Sequence, residues 1–241
     1  ADIGVDLTLF DNRLNFTGDI YRRNTKDMLT LGEVLPGVLG ANLPKENSAD
    51  LKTTGFDLTV SWRDQIKLAG KPLEYSLEFN LSDSKSEITK FSNPTGTLNS
   101  YYKGQKIGEI WGLTSDGLYK SDEEAQKGPD QTEILIAPSQ YPTVAGSLKY
   151  KDLNNDGKIT RGKYTLDDHG DLTVIGNDQI RYRFGATFAA NWSGFDISAF
   201  FQGVMKHNYY PTASDKIFWG KYSAPWFDQL EGHYFDRWKE D

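Results

Sequence analysis

Asp152-Leu153-Asn154-Asn155-Asp156-Gly157-Lys158-Ile159 carries oxygen-bearing side chains at its first, third and fifth positions and a glycine at its sixth. That is the front half of an EF-hand-type calcium loop. A hard cation needs several oxygens converging on one point. Alternate residues of a tight loop supply them, and the glycine permits the reversal. Asp152, Asn154 and Asp156 would bind through their side chains, and Lys158 through its backbone carbonyl. The twelfth position is Lys163, where the full motif has a bidentate glutamate, so the closing carboxylate must come from Asp167, Asp168 or Asp171. A solvated, Asx-rich turn has the same composition.

Other chemistry is thinly represented. His169, His207 and His233 lack metal-ligand spacing. Ser82-Asp83-Ser84-Lys85 contains SxxK, but it lies at a strand end and not at a helix start. No P-loop, GxSxG, HExxH or GxGxxG motif occurs. The sequence offers no catalytic residue, and the expectation is a protein that is not an enzyme. The Asn15 and Asn191 glycosylation sequons fall inside strand patterns. The last thirty residues are rich in aromatics, among them Trp219, Tyr222 and Trp226. Such rings can contact a sugar or a protein partner, or can pack loops together.

The elements that must position these residues follow from composition and period. The chain has 241 residues, a formal charge of -7 and no cysteine. The acidic balance disfavours nucleic-acid binding. The missing thiols exclude disulfides and cysteine-bound metals. No segment approaches the ~20 apolar residues of a spanning helix, but a spanning strand needs only ~9–11 residues, half of them polar. The start, Ala1-Asp2-Ile3-Gly4-Val5-Asp6, has no signal-peptide character and sits inside an alternating pattern, which predicts a cut chain.

Side chains on a strand alternate between faces. Ile3, Val5, Leu7 and Leu9 share one face, and after Asp11-Asn12-Arg13 the pattern resumes with Leu14, Phe16, Gly18 and Ile20. It returns at Phe56, Leu58, Val60 and Trp62, turns near Ala69-Gly70, and continues through Leu73, Tyr75, Leu77, Phe79 and Leu81. A third pair runs Tyr182 to Trp192, turns at Ser193-Gly194 and returns from Phe195 to Phe201. The expectation is an all-β chain of about six strands in three hairpins. Short turns then lie at one end, and long excursions at roughly 25–50, 88–180 and 206–241 lie at the other. Phe10, Phe16, Trp62, Trp192 and Phe195 gather near the short turns, as a girdle at a membrane interface would.

This is the layout of a portion of an antiparallel transmembrane β-barrel with long extracellular loops. Six strands cannot close such a barrel, so further strands are expected outside this chain. The alternative is a soluble, calcium-dependent β-sandwich that binds carbohydrate, with Trp219, Tyr222 and Trp226 in its glycan site. Within the excursion at 88–180, Ser121-Asp122-Glu123-Glu124 reads as a capping box opening one short helix.

Several stretches together resemble SusC/RagA-type TonB-dependent outer-membrane transporters. Ala1 to Asp6 followed by Leu9-Phe10-Asp11-Asn12-Arg13-Leu14 is similar to the family's first strand pair here, and Asp19 to Leu29 to its continuation. Tyr150-Lys151-Asp152 through Ile159 resembles its acidic loop. Val174-Ile175-Gly176-Asn177 with Arg181-Tyr182-Arg183-Phe184-Gly185 resembles its step back into the membrane, and Phe195-Asp196-Ile197-Ser198 with Phe201-Gln202-Gly203 its last strand here. Gln179-Ile180 stands where the family has proline, and Thr160 to Gly170 resembles an insertion, which moves the favoured closing carboxylate to Asp171.

The resemblance implies that residues 1–241 are the C-terminal barrel part of such a transporter. A plug domain and a TonB box would lie elsewhere. It further implies a SusD-like surface lipoprotein as partner, TonB acting through the plug, an oligosaccharide or peptide substrate, outer-membrane lipid around the wall, and loops facing the cell exterior.

Overall fold

The computed structural model describes residues 1–31, 45–135, 138–139 and 142–211. In chain order the strands are β1 (Asp2–Leu9), β2 (Leu14–Leu31), β3 (Lys45–Leu68), β4 (Lys71–Lys90), β5 (Glu109–Leu113), β6 (Ser115–Leu118), β7 (Leu148–Tyr150), β8 (Leu172–Asn177), β9 (Arg181–Trp192) and β10 (Phe195–Lys206). One short helix, α1 (Asp122–Lys127), and a 3-10 turn at Thr132–Ile134 lie between β6 and β7. The chain divides into two compact units. The first comprises Ala1–Pro94, Ser100–Gly108 and Gln179–Asn208, and the second Thr95–Asn99, Glu109–Asp178 and Tyr209–Asp241.

The first unit is one antiparallel sheet in the order β1-β2-β3-β4-β9-β10. The three expected hairpins are present, laid side by side with β4 paired to β9. The two central residues of each turn are in the left-handed region: Asp11 and Asn12 (φ 54° and 65°, with Phe10 before them at 56°), Ala69 and Gly70 (48° and 78°), Ser193 and Gly194 (52° and 85°). That is type I′ geometry, whose twist matches that of the flanking strands. Asn and Gly enter this region at little cost, which explains why these residues mark the turns.

Register carries the alternating pattern across the sheet. Leu7 lies opposite Phe16, Phe16 opposite Val60, Val60 opposite Phe79, Phe79 opposite Ala186, and Ala186 opposite Phe201. The next row runs Val5, Gly18, Leu58, Leu81, Phe184 and Gly203. The opposite face is polar: Asp6, Thr17, Thr59 and Asn80 form one row, and Thr17 donates to Asp6 at 2.7 Å.

Three strands run further than the alternation predicts. β2 continues through residues 25–31, β3 already begins at Lys45, and β4 reaches Lys90. These extensions are mostly polar, with Met28, Leu29, Ala49, Leu51 and Ile88 scattered and not alternating, so no period marks them, and strand pairing alone continues. The register shifts around Asp27 (φ 55°) and between Asp50 and Leu51 mark bulges in this part. The excursions at 25–50 and 88–180 are accordingly shorter than expected. Residues 32–44 and 212–241 lie outside the described residues, and with them Trp219, Tyr222 and Trp226.

The second unit is built from two small antiparallel pairs, β5 with β8 and β6 with β7. Its buried residues include Leu98, Tyr119, Ala125, Ile159 and Leu172. Ser121 caps α1 as expected, accepting from the Glu124 N–H at 3.2 Å. Glu124 reaches back one residue further than a capping box requires, to the Lys120 N–H at 2.8 Å.

Candidate functional site

Two features could carry function: the apolar face of the large sheet and the acidic loop of the second unit. The apolar face is uncovered. Ile3 is 75 % exposed, Ile20 72 %, Phe195 70 % and Phe201 66 %. No apolar residue in the two rows traced above is buried. A soluble sandwich needs a second sheet on this face, and none is present among the described residues of this unit. An apolar surface of this extent marks contact with a partner or with lipid.

Toward the short turns the face becomes aromatic and amphipathic. The Trp62 indole N–H donates to the Tyr75 hydroxyl at 3.3 Å, and that of Trp192 to the Leu68 carbonyl at 3.2 Å. Phe10 packs against Trp62 with ring centroids 6.2 Å apart. These rings have apolar bodies and satisfied polar ends, the character favoured where hydrocarbon meets water.

In the acidic loop, Asp152 folds the chain over its own carboxylate. One oxygen accepts the Asn155 N–H at 2.6 Å and the Asp156 N–H at 3.3 Å, and the other accepts the Gly157 N–H at 2.8 Å. Asp156 accepts the Lys158 N–H at 2.8 Å, and Asn154 accepts the Asp156 N–H at 3.1 Å. Asn155 (φ 61°) and Gly157 (φ 80°) are both left-handed, which closes the reversal. The Asp152, Asn154 and Asp156 side chains therefore sit on one tight turn, with the Lys158 carbonyl following.

Asp171 is fully buried and ties the two ends of this loop together. Its carboxylate accepts the Leu153 N–H and the Thr160 N–H, each at 2.8 Å. Each carboxylate oxygen retains acceptor capacity beyond one N–H. The donors at hand are thus the carboxylates of Asp152 and Asp156, the Asn154 amide and the Lys158 carbonyl, with Asp171 behind them. All are hard oxygens, the chemistry calcium prefers. Among the described residues no group of three or more His, Cys, Asp or Glu is gathered as a metal site. Asp167 and Asp168 follow the loop on the far side of Gly162, and the Asp168 side chain pairs with Lys163 at 3.7 Å.

Sequence reasoning missed the support beneath the loop. Asp130 bridges to it in parallel: its N–H donates to the Gly157 carbonyl at 2.9 Å, and its carbonyl accepts the Ile159 N–H at 2.8 Å. Buried Gln131 then holds β7, donating to the Leu148 carbonyl at 2.9 Å and accepting the Tyr150 N–H at 3.0 Å. The Thr132 side chain, with the Thr132 N–H second, holds the Asp130 carboxyl below its ordinary range. More than twenty residues separate these groups from the loop in sequence, and no local motif joins them.

Known proteins resemble this chain in sequence and fold. The chain is 26 % identical over 219 residues to TonB-dependent receptor P3 of Formosa agariphila, covering 85 % of this chain and 20 % of the relative. It is 23 % identical over 229 residues to TonB-dependent receptor P39 of the same organism, covering 86 % and 21 %. The chain resembles a segment of TonB-dependent receptors. No family model matches it. Among solved structures, the RagAB peptide transporter superposes with a TM-score of 0.53 at 21 % identity, and the RagAB peptide importer in the open-open state with 0.56 at 21 %. These cover 83 % and 84 % of this chain and 20 % of each transporter chain, and establish a shared fold. The chain therefore spans about a fifth of the length of the curated receptors it matches.

Proposed function

We propose that this chain forms part of the wall of a TonB-dependent transporter in the Gram-negative outer membrane. The observation that carries the reading is the continuous apolar face, exposed across six hydrogen-bonded strands. On β4 that face runs from Leu73 to Leu81, or ~27 Å of strand, which becomes ~21 Å across a bilayer at a ~40° tilt. The lipid-facing band of outer-membrane barrels is ~25 Å tall. The polar face then lines the lumen, and the edges β1 and β10 pair with further strands, since an open edge is not allowed within a bilayer.

The transporter imports peptides or oligosaccharides and acts through binding and conformational change, without covalent chemistry. The likeness to the RagAB peptide transporter favours a peptide cargo, and the sequence resemblance to SusC/RagA transporters favours a SusD-like lipoprotein partner at the cell exterior. TonB acts on the transporter through a plug domain. Calcium is held by Asp152, Asn154, Asp156 and the Lys158 carbonyl, with Asp171 closing the set, and braces the loop.

An outer-membrane fraction probed with antibody to this chain, boiled and unboiled, tests the reading. A band several times heavier than this chain that shifts on heating is expected. A soluble band near 27.2 kDa with no shift would sink it and restore the carbohydrate-binding sandwich.

A further inference from the structure

Resting on the membrane reading, we infer a second lipid contact of a different chemistry: a basic patch just outside the apolar band that binds the phosphate groups of outer-leaflet lipid. On the apolar-face side, the row after Ile20, Phe56 and Asp83 is Arg22, Thr54 and Lys85. The row after that is Asn24, Lys52 and Glu87. Lys106 extends it, because the segment 104–107 adds to the edge of β4 and sets Lys106 opposite Glu87. Residues directly opposite each other across a sheet share a face.

Among the described residues of these two rows, four cations, Arg22, Lys52, Lys85 and Lys106, accompany one carboxylate, Glu87. Glu87 pairs with Lys52 at 2.8 Å, and Arg22 and Lys106 also act on it through space. Asp83, the acidic group nearest the band, is neutralised by Arg181. The patch thus keeps an excess of positive charge, and Arg22, Lys85 and Lys106 are exposed.

Position decides the partner. The patch begins one row, ~7 Å, beyond Ile20 on β2 and two rows beyond Leu81 on β4, at the end away from the short turns. In a bilayer that is the depth of the headgroups. Long basic side chains there extend from hydrocarbon to phosphate. A soluble anionic ligand would call for cations on the polar face, whereas these share the lipid-facing side.

The test uses the intact receptor in nanodiscs of zwitterionic phosphatidylcholine, with fluorescent lipid A or its dephosphorylated form added. Lipid A should be retained more strongly than the dephosphorylated lipid. R22Q, K85Q and K106Q should each weaken retention roughly five-fold, the equivalent of ~1 kcal/mol per cation near an anionic layer. E87Q should strengthen it by a similar factor, a gain that misfolding would not produce. If the receptor enters the nanodiscs and the phosphates make no difference, the phosphate site is refuted while the barrel stands. If it enters no bilayer, both readings fall.

Discussion

Asp83 at the outer part of β4 and Arg181 at the start of β9 form a two-bond ion pair, through Nε and Nη2 of the guanidinium, across 98 residues of sequence. The Asp83 side chain is only 7 % exposed and that of Arg181 15 %. The Tyr182 N–H also donates to Asp83, at 3.2 Å, where Tyr182 takes a φ of 54°. The pair fastens the start of β9 to β4 just beyond their last paired residues, Ser82 and Arg183.

Removing one partner leaves the other as an uncompensated, largely buried charge. D83A is expected to destabilise the sheet by about 3 kcal/mol. The double variant D83A/R181A should cost less than the sum of the single changes. Thermal unfolding of the intact receptor, read as a double-mutant cycle, checks this. Additive costs would show that the pair contributes nothing of its own.

Substitutions on the two sheet faces should differ sharply. V60R places a cation on the apolar face and should cost ~2–4 kcal/mol near mid-bilayer. T59R, one residue away on the polar face, should be tolerated. Yield of heat-modifiable receptor in the outer membrane is the readout. Equal losses would mean that the two faces do not see different solvents.

The acidic loop separates two roles. D156A should raise protease sensitivity near residues 152–160 much more in calcium than in chelator, where only the lost acceptor of the Lys158 N–H counts. D171A leaves the Leu153 and Thr160 N–H groups without acceptors and should loosen the loop in both conditions. Cleavage of D156A and unaltered protein at the same rate in calcium and in chelator would remove the proposed calcium site.

Acid should loosen the second unit locally. Asp130 is held below its ordinary range by Thr132, and Glu124 by the Lys120 N–H first and by Lys149 second. Depressed carboxyls contribute stability that is present above the unfolded pKa, about 4, and is lost as pH falls through their folded values. Protection factors around residues 120–132, which correct exchange for its intrinsic pH dependence, should therefore fall below about pH 4 and stay constant from pH 5 to 7.

The sheet was legible because one face meets a different medium from the other. The alternation from Leu73 to Leu81 fixes strand, face and register together. Lys52-Thr53-Thr54 and Arg22-Arg23-Asn24-Thr25 carry no such contrast, and their continuation as strand follows from pairing that sequence does not display. In the acidic loop the oxygen spacing announced Asp152, Asn154 and Asp156. The clamp by Asp171 was legible only as one of three candidate carboxylates. The bridge from Asp130 was hidden, because a backbone contact leaves no trace in side-chain type.

Alternate-residue labelling along β3 distinguishes a lipid-facing side from a water-facing side. This chain has no cysteine, so a cysteine introduced into it is unique within it. Single cysteines at Leu58, Thr59, Val60 and Ser61 in the intact receptor would be exposed in membranes to a water-soluble maleimide. The account predicts labelling at Thr59 and Ser61 and protection at Leu58 and Val60, with protection lost on solubilisation and unfolding. Uniform labelling along the strand in membranes would contradict it.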